Sequence, residues 1–576
     1  MPTGRRSHND AGTSLPADGD TIHDLLIIGG GSVGLTLGAT WAMLGRDAVV
    51  FDRQPSLYGL PRVGHIDHEI MRMLQQLGAE GPTLEDAYAT KSYTWINAEG
   101  ETLLEFPWGE EGISGWHSDY MQNSAILERS LLDRILRSQT VAHMPGWEVV
   151  DLVQHDDHVE LSAERTRTVP GESRPVLTGE HRQFRARYVV ACDGANSRTR
   201  QMLGIDRDDL GFNEKWLVID ARIKRPFSLA FDSGQVCDPR RPTTVLPLGK
   251  DHRRWEWHLR PDENPEDFLR PDKAWELLAP FDVTEHDVEP VRQLVYTFEA
   301  RIAHRWRSGR VFLAGDAAHT MPPFMGQGMC SGMRDARNLA WKLDLVLSGV
   351  ADETLLDTYQ VERDPHVRDW TVISLESGRI PCIIDPEEAR KRDEMFRAGF
   401  RPPMPDFPQL VNGILHRTAD GSPLAPAGEL GLQGRVRIAD RIDLFDRLLP
   451  TTGFTVVSIT DDPRTTLGPR RTAALERLGC HFYTVRSAAS GPNRSSGTPG
   501  RTDIVDVDGT YAEYFRTRGI DVVINRPDFY VFGGSDLSGL AALADDLLDQ
   551  TTAVRSTPAS QDDRVPVTAV RDGGHV

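Results

Sequence analysis

Apolar residues in this chain fall into short blocks of strand length, separated by glycine-rich or polar turns. Asp24-Leu25-Leu26-Ile27-Ile28 and Ala48-Val49-Val50-Phe51 are near-continuous apolar runs and predict buried strands. Between them Leu37, Trp41 and Leu44 recur at helical spacing, and Gly45 follows as a stop. Tyr188-Val189-Val190-Ala191 and Val311-Phe312-Leu313-Ala314 predict two further buried strands. Ser92-Tyr93-Thr94-Trp95-Ile96 reads as a strand, as do Trp216-Leu217-Val218-Ile219, Thr243-Thr244-Val245-Leu246 and Arg254 to Leu259. Helices are expected near 122–138, over Asp335 to Leu343, and around Leu355 to Trp370. Phe454 to Ser458, Ala473 to Leu478 and Asp521 to Ile524 alternate strand and helix once more. Proline-rich stretches at 401–408 and 421–427 mark a linker before that last block.

The turns carry the chemistry. The first strand runs into Gly29-Gly30-Gly31-Ser32-Val33-Gly34, which fits G-x-G-x-x-G, and the second ends in Asp52. Strand, glycine turn, helix, second strand and acid in this register form a dinucleotide-binding unit. The glycines allow a tight turn and a close pyrophosphate approach, and Asp52 suits the adenosine ribose hydroxyls. This motif alone does not separate FAD from NAD. The fourth strand leads into Gly315-Asp316-Ala317-Ala318-His319-Thr320-Met321-Pro322-Pro323-Phe324-Met325-Gly326-Gln327-Gly328-Met329. An acidic turn can accept hydrogen bonds from a polyol, and a glycine-rich helix start offers bare N–H groups to an electron-rich ligand edge. Together these suit a flavin. A single G-x-G-x-x-G unit is present, so a second nucleotide-binding domain is not expected.

A third motif, Asp193-Gly194-Ala195-Asn196-Ser197-Arg198, follows the Tyr188–Ala191 strand. In this order the three motifs resemble those of the class A flavoprotein aromatic hydroxylases, the family of para-hydroxybenzoate and phenol hydroxylases. Pro61 to Glu69, Gly211 to Val218, Gln235 to Pro242 and Asp506 to Tyr511 are similar to the 3-(3-hydroxyphenyl)propionate hydroxylase branch, and the resemblance spans about residues 22–535. It implies an α/β chain: a Rossmann-type, glutathione-reductase-like FAD domain over 22–90, 121–210 and 301–400, and a mixed-sheet substrate domain over 91–120 and 211–300. A thioredoxin-like C-terminal domain is expected over 430–552, with disordered tails at 1–21 and 553–576. Cys480 stands alone in the C-terminal block, so that domain is given a structural or oligomer-forming role.

The resemblance further implies non-covalent FAD, NADPH or NADH as co-substrate, and oxygen delivered through a flavin C4a-hydroperoxide to an electron-rich ring. The expected cofactor-binding residues are Gly29, Gly31, Ser32, Val33, Gly34, Asp52, Arg53, Arg62, Gln122, Asp193, Asp316, Pro323, Gly326, Gly328 and Met329. The amides of Gly328 and Met329 take an oxyanion-hole role, Pro323 borders ring and peroxide, and Arg62 steadies flavin or nicotinamide. His65, His117 and Tyr93 are candidate proton acceptors for the substrate hydroxyl. Pro322, Trp255 and Trp257 are candidate pocket residues, with the sheet core an equal alternative for the tryptophans. His319 reads as structural. Cys330 stands where the family often has asparagine.

Composition narrows the classes. A net charge of −20 opposes nucleic-acid binding. Five scattered cysteines without C-x-x-C exclude a disulfide framework and a cysteine-based zinc site and suit a reducing cytoplasm. His65 and His68 could bind a metal, but a polar loop-to-helix start is preferred, and no metal is expected. No apolar run is long enough for a membrane span. A homo-oligomer is expected. The substrate reads as a small phenolic acid such as 3-(3-hydroxyphenyl)propionate. The alternatives are a larger phenol, pyridinol or polyketide in a tailoring reaction, a flavin dehydrogenase or oxidase without oxygen insertion, and a non-catalytic flavin-binding protein.

Overall fold

The computed structural model describes residues 21–552 apart from 89, 171, 173, 403–406 and 488–502. The expected disordered tails, apart from residue 21, therefore lie outside the described residues.

Three sheets organise the chain. The first contains five parallel strands in the order Val311–Leu313, Val176–Ala191, Ile22–Ile28, Ala48–Asp52 and Val141–Pro145, with an antiparallel hairpin of Trp147–Gln154 and Val159–Arg167 running onto Val176–Ala191. Its strands are apolar on both faces because helices Ser32–Leu44, Ser124–Leu136 and Gln327–Leu347 pack around it. The helix after the first strand ends at Gly45, whose φ of 71° lets its N–H return to the Ala42 carbonyl.

The second sheet has eight strands in the order His319–Thr320, Val288–Ala303, Arg207–Ile223, His252–His258, Thr243–Leu248, Gly234–Cys237, Ser92–Asn97 and Thr102–Pro107. Two long strands, Arg207–Ile223 and Val288–Ala303, cross the boundaries expected at 210/211 and 300/301, so the units are joined by continuous strands rather than by hinges. One face of this sheet is covered by the helix Pro271–Leu278 and the apolar residues around Phe268. The other face looks toward the first sheet.

The third sheet holds seven strands between Arg435 and Ser535, with a parallel centre and antiparallel edges, and helices Pro463–Arg477, Thr510–Arg518 and Leu540–Thr552 pack on it. This is the thioredoxin-like alternation. The segment expected as a linker is packed down in part: Ala427, with Leu410 and Leu415 between the two proline-rich stretches, is buried against Tyr530, while Phe407 and Leu424 stay exposed. No helix of the described residues is long and apolar enough to cross a membrane.

Candidate active site

A cleft of about 1660 Å³ runs between the first two sheets. It exceeds the usual range for one drug-sized ligand, about 300–1,000 Å³. One end is built by the glycine turn. Gly29 sits at φ 108°, and a Cβ there would stand 2.4 Å from the Cys192 carbonyl oxygen. A Cβ at Gly34 would stand 1.8 Å from the Gly29 carbonyl oxygen. These two glycines lie against backbone, behind the cleft wall. Gly31 differs: a Cβ there would meet only Arg62 Nη2, at 3.7 Å, and Gly31, Ser32 and Val33 line the cleft. Asp52 braces the turn, accepting from Gly30 N at 2.9 Å and Gln54 N at 2.7 Å, and burial pushes its carboxyl above the usual range.

The far side of the cradle is the 21-residue helix Gln327–Leu347. Its N-cap, Gly326, has φ 62° and supplies no side-chain cap, and its first turn holds no acidic residue. The amides of Gly328 and Met329 are therefore free of the helix ladder at the cleft wall, at the positive end of the helix dipole. Asp67 anchors this end. It caps the helix His68–Leu77 through Glu69 N and Ile70 N, accepts from Gln327 Nε2 at 3.1 Å, and pairs with Arg334, which also bonds Glu69. Burial works against the Asp67 charge, but Arg334 holds its carboxyl below the usual range.

Asp316 lies within the protein yet is exposed along the cleft, and burial raises its carboxyl pKa. The turn carrying it is fixed by Asp335, which accepts from Gly315 N at 3.0 Å and from the His319 imidazole at 2.6 Å. His319 is thus structural. Asp193 accepts from Thr199 N and Oγ1 through Oδ2, while its buried Oδ1 has no partner beside the cleft. Bare amides at two helix starts, a glycine whose missing Cβ leaves room, and an orphaned carboxylate oxygen fit a dinucleotide carrying a flavin.

Arg53, Arg62, His65, Tyr93, Pro322, Pro323 and Gly326 also line the cleft. His65 Nε2 lies 2.8 Å from Asp119 Oδ1, and Nδ1 lies 3.3 Å from the Gly326 carbonyl oxygen. Burial opposes protonation of His65, but Asp119 outweighs it and raises the pKa well above the ordinary value. The neighbouring Cys330 thiol, itself pushed up by burial, is uncharged at neutral pH and adds little. With Nε2 on Asp119 and Nδ1 on the Gly326 carbonyl, both ring nitrogens of His65 are engaged by the protein.

Four further expected residues lie elsewhere. Gln122 is fully buried one layer behind the wall, where Nε2 holds the Val63 carbonyl at 3.2 Å and so steadies the Arg62–His65 loop. His117 is exposed in a turn, with Nδ1 3.0 Å from the Gly109 carbonyl oxygen, and does not reach the cleft. Trp255 and Trp257 point to the opposite face of their strand and pack with Leu217, Ile219, Phe268 and Leu278. The period of two that places them there turns Arg254 and Glu256 to the cleft. His65 and His68 do not converge on a metal site. Among the described residues His155, His158 and Glu160 do converge, on the surface hairpin outside the cleft wall.

Other cleft residues carried no sequence signal. Glu128, on the helix Ser124–Leu136, accepts from both Ser32 Oγ and Arg62 Nη2. Arg254 is held by Asp220 at 2.7 Å and donates to the Arg62 carbonyl at 3.0 Å. Arg292 shares the same Asp220.

The comparisons with known proteins bear on this site. Residues 23–373 match the FAD binding domain family, and residues 428–550 match the HcaD C-terminal domain family. The chain belongs to the class A flavoprotein aromatic hydroxylases. The hydroxylase is 37% identical over 552 residues to a probable NADH-specific resorcinol 4-hydroxylase of Rhodococcus jostii (strain RHA1), covering 94% of this chain and 98% of that protein. It is 31% identical over 554 residues to a 3-(3-hydroxy-phenyl)propionate/3-hydroxycinnamic acid hydroxylase of Burkholderia vietnamiensis (strain G4 / LMG 22486), covering 92% and 96%. Among solved structures, the flavin-dependent monooxygenase PieE in complex with FAD and substrate matches with TM-score 0.73 at 19% identity, covering 92% of this chain and all of that one. The ternary complex of aklavinone-11 hydroxylase with FAD and aklavinone matches at 0.69 and 24%, covering 92% and 100%. At these identities the two structures support the fold alone. The hydroxylase is an FAD-dependent monooxygenase with a reduced nicotinamide as co-substrate.

Proposed function

We propose that this hydroxylase oxidises a small phenol of the resorcinol class, with NADH as the electron donor. The observation that carries this reading is the cleft itself. One side is the dinucleotide cradle, and the other is a wall of Tyr93, Trp95, Phe106 and Trp108 with Gln235, Thr244 and Glu256. Aromatic rings enclose a flat apolar ligand, and the polar groups between them recognise its hydroxyls. Resorcinol, the ring in the name of the Rhodococcus jostii relative, offers two hydroxyls to such a wall.

In this reading Gly31, Ser32 and Val33 hold the pyrophosphate, with Gly29 and Gly34 shaping the turn behind them. Asp52 and Arg53 serve the adenosine end, and Asp316 the ribityl chain. Gly328 and Met329 offer their amides to the flavin, and Arg62, Asp193 and the Pro322-Pro323 loop border it. When bound, FAD supplies the hydride acceptor and the oxygen-transfer chemistry. The protein binds and orients the ring, excludes water and controls the substrate proton.

The test is turnover of the purified, FAD-loaded protein with NADH and NADPH under labelled oxygen gas, using resorcinol and 3-(3-hydroxyphenyl)propionate. The expected result is faster NADH consumption with resorcinol and one labelled oxygen in its product. Consumption of NADH with hydrogen peroxide release and no labelled product from either phenol would overturn the reading. A second reading, oxidation of a larger ring, is favoured by the size of the cleft, and its test is the same assay with polycyclic phenols.

A further inference from the structure

The second sheet presents a continuous polar row to the cleft. Gln235, Thr244 and Glu256 are direct cross-strand neighbours: Gln235 pairs with Thr244, and Thr244 with Glu256. Thr244 Oγ1 donates to Gln235 Oε1 at 2.9 Å, and Gln235 Nε2 donates to the Tyr93 hydroxyl at 2.9 Å. The direction of these bonds is informative. Thr244 fixes the orientation of the Gln235 amide, and that amide occupies a lone pair of Tyr93 O. The Tyr93 proton is left to point elsewhere, and Tyr93 lines the cleft. One end of the row is therefore a hydrogen-bond donor.

The other end is an acceptor. Glu256 is 4% exposed, lines the cleft, and among the described residues takes one hydrogen bond, a long one of 3.5 Å from Arg254 Nη1. Arg254 spends its charge on Asp220, with contacts of 2.7 and 3.1 Å. Arg292, on the next strand, is likewise taken by Asp220 at 2.8 Å. The charged groups facing Glu256 are thus Arg254 on its own strand and Asp220 and Arg292 on the two strands beyond, with Tyr93 across the row. Asp220 answers both arginines, so Glu256 keeps acceptor capacity for a ligand. Burial, only partly offset by Arg254, raises its pKa above the ordinary glutamate value.

We infer that Tyr93 and Glu256 are a donor–acceptor pair that grips two hydroxyls of a dihydroxylated ring, and that Glu256 takes the proton of the hydroxyl it binds. Tyr93, Gln235, Thr244 and Glu256 sit on four successive strands, and the Tyr93 hydroxyl reaches back to Gln235 at 2.9 Å, so the span left to Glu256 is about two strand spacings, roughly 10 Å, which one ring with two hydroxyls and a hydrogen bond at each end can bridge. In the proton step the substrate O–H bond breaks, its electron pair stays on oxygen, and the proton moves to a Glu256 carboxylate oxygen. The products are a phenolate, the better nucleophile, and a neutral acid that returns its proton to solvent in the next cycle. An arylcarboxylate directed at this end of the row would meet a like charge.

This inference rests on the phenol-hydroxylase reading above. Its test uses FAD-loaded wild type, Glu256→Gln, Tyr93→Phe and Thr244→Val, with resorcinol as probe. The readouts are the resorcinol Kd from flavin fluorescence and kcat/KM for hydroxylation from pH 5 to 9. In wild type kcat/KM rises with pH through one ionisation, because the acceptor is the ionised carboxylate. Glu256→Gln loses that acid limb and 10²- to 10⁴-fold in hydroxylation, the usual worth of a positioned base. Tyr93→Phe and Thr244→Val weaken the resorcinol Kd about fivefold, as expected for a lost or slackened hydrogen bond, and keep the limb. An FAD-bound Glu256→Gln enzyme with the wild-type pH profile and Kd overturns the inference and leaves the hydroxylase reading standing. If Glu256→Gln does not hold FAD, an unchanged Kd in both Tyr93→Phe and Thr244→Val overturns the row. A wild type that hydroxylates no phenol overturns both.

Discussion

Arg62 and Glu128 meet at 2.7 Å across the mouth of the nucleotide cradle, and the oxygen they share also accepts from Ser32 Oγ at 2.9 Å. The Glu128 side chain is 3% exposed and that of Arg62 45% exposed. A buried carboxylate therefore stands beside the helix start proposed for the pyrophosphate, and a half-exposed guanidinium pairs with it.

Removing Arg62 leaves that carboxylate unpaired next to a dianionic ligand, where breaking a buried pair is costly. Arg62→Ala is expected to weaken FAD binding about 10- to 100-fold. Adding Glu128→Gln should recover most of the loss, because the two changes are coupled. Fluorescence titration of apoprotein with FAD measures both. A double variant as weak as the single one would show that Arg62 acts on FAD directly and not through Glu128.

The two kinds of glycine in the first turn predict two kinds of failure. At Gly31 a side chain would meet only Arg62 Nη2, at 3.7 Å, so Gly31→Val should fold with near-normal thermal stability and purify without colour. At Gly29 a side chain meets the Cys192 carbonyl in a left-handed backbone conformation. Gly29→Val should lose stability as well as flavin. Circular dichroism melts alongside visible spectra separate the outcomes, and a yellow Gly31→Val protein would contradict the assignment of that position.

A buried ion cluster predicts an acid limit to folding. Glu362 accepts from Arg526 at 2.6 Å, Lys342 at 2.7 Å and Asn338 at 2.7 Å. Burial opposes its charge, yet Arg526 and Lys342 hold its pKa down to about 2, from 4.5. The folded pKa is the lower one, so the contribution is full above pH 4.5 and is lost as pH falls toward 2. It amounts to about 3 kcal/mol. Glu362→Gln should cost on the order of 3–5 kcal/mol at pH 7 by leaving Arg526 underpaired, and its stability should change less than that of wild type between pH 5 and 3. Urea unfolding at both pH values checks this, and parallel losses in the two proteins would remove Glu362 from the explanation.

The nucleotide end of the site was legible because its determinants are local. Gly29 to Gly34, Asp52, Asp316 and Gly326 to Met329 each sit on a turn, strand end or helix start that neighbouring residues specify. The substrate wall was not, because it depends on which face of a sheet is covered. The run Arg254-Trp255-Glu256-Trp257 states that the tryptophans share one face, but not that the helix Pro271–Leu278 would close over it. That covering makes Trp255 and Trp257 core and hands the cleft to Arg254 and Glu256. Glu128 was hidden for another reason: its partners lie 96 and 66 residues away, and an acid on a helix carries no mark of such a pairing.

The helix Gln327–Leu347 begins at the cofactor cleft and ends inside the third sheet's territory. Arg337 donates to the Pro527 carbonyl at 2.8 Å, Trp341 donates to Asp528 at 3.1 Å, and Trp341 and Leu345 are buried with Phe454 and Val456. The C-terminal module therefore works as ballast on one end of a rod whose other tip sets the Gly328 and Met329 amides at the cleft wall. An engineer wishing to shorten this catalyst at residue 430 would strip the weighted end and expose an oily flank of the same rod. A minimal version would need that flank repainted with polar residues and the Glu362 ion cluster rebuilt before its chemistry could be judged.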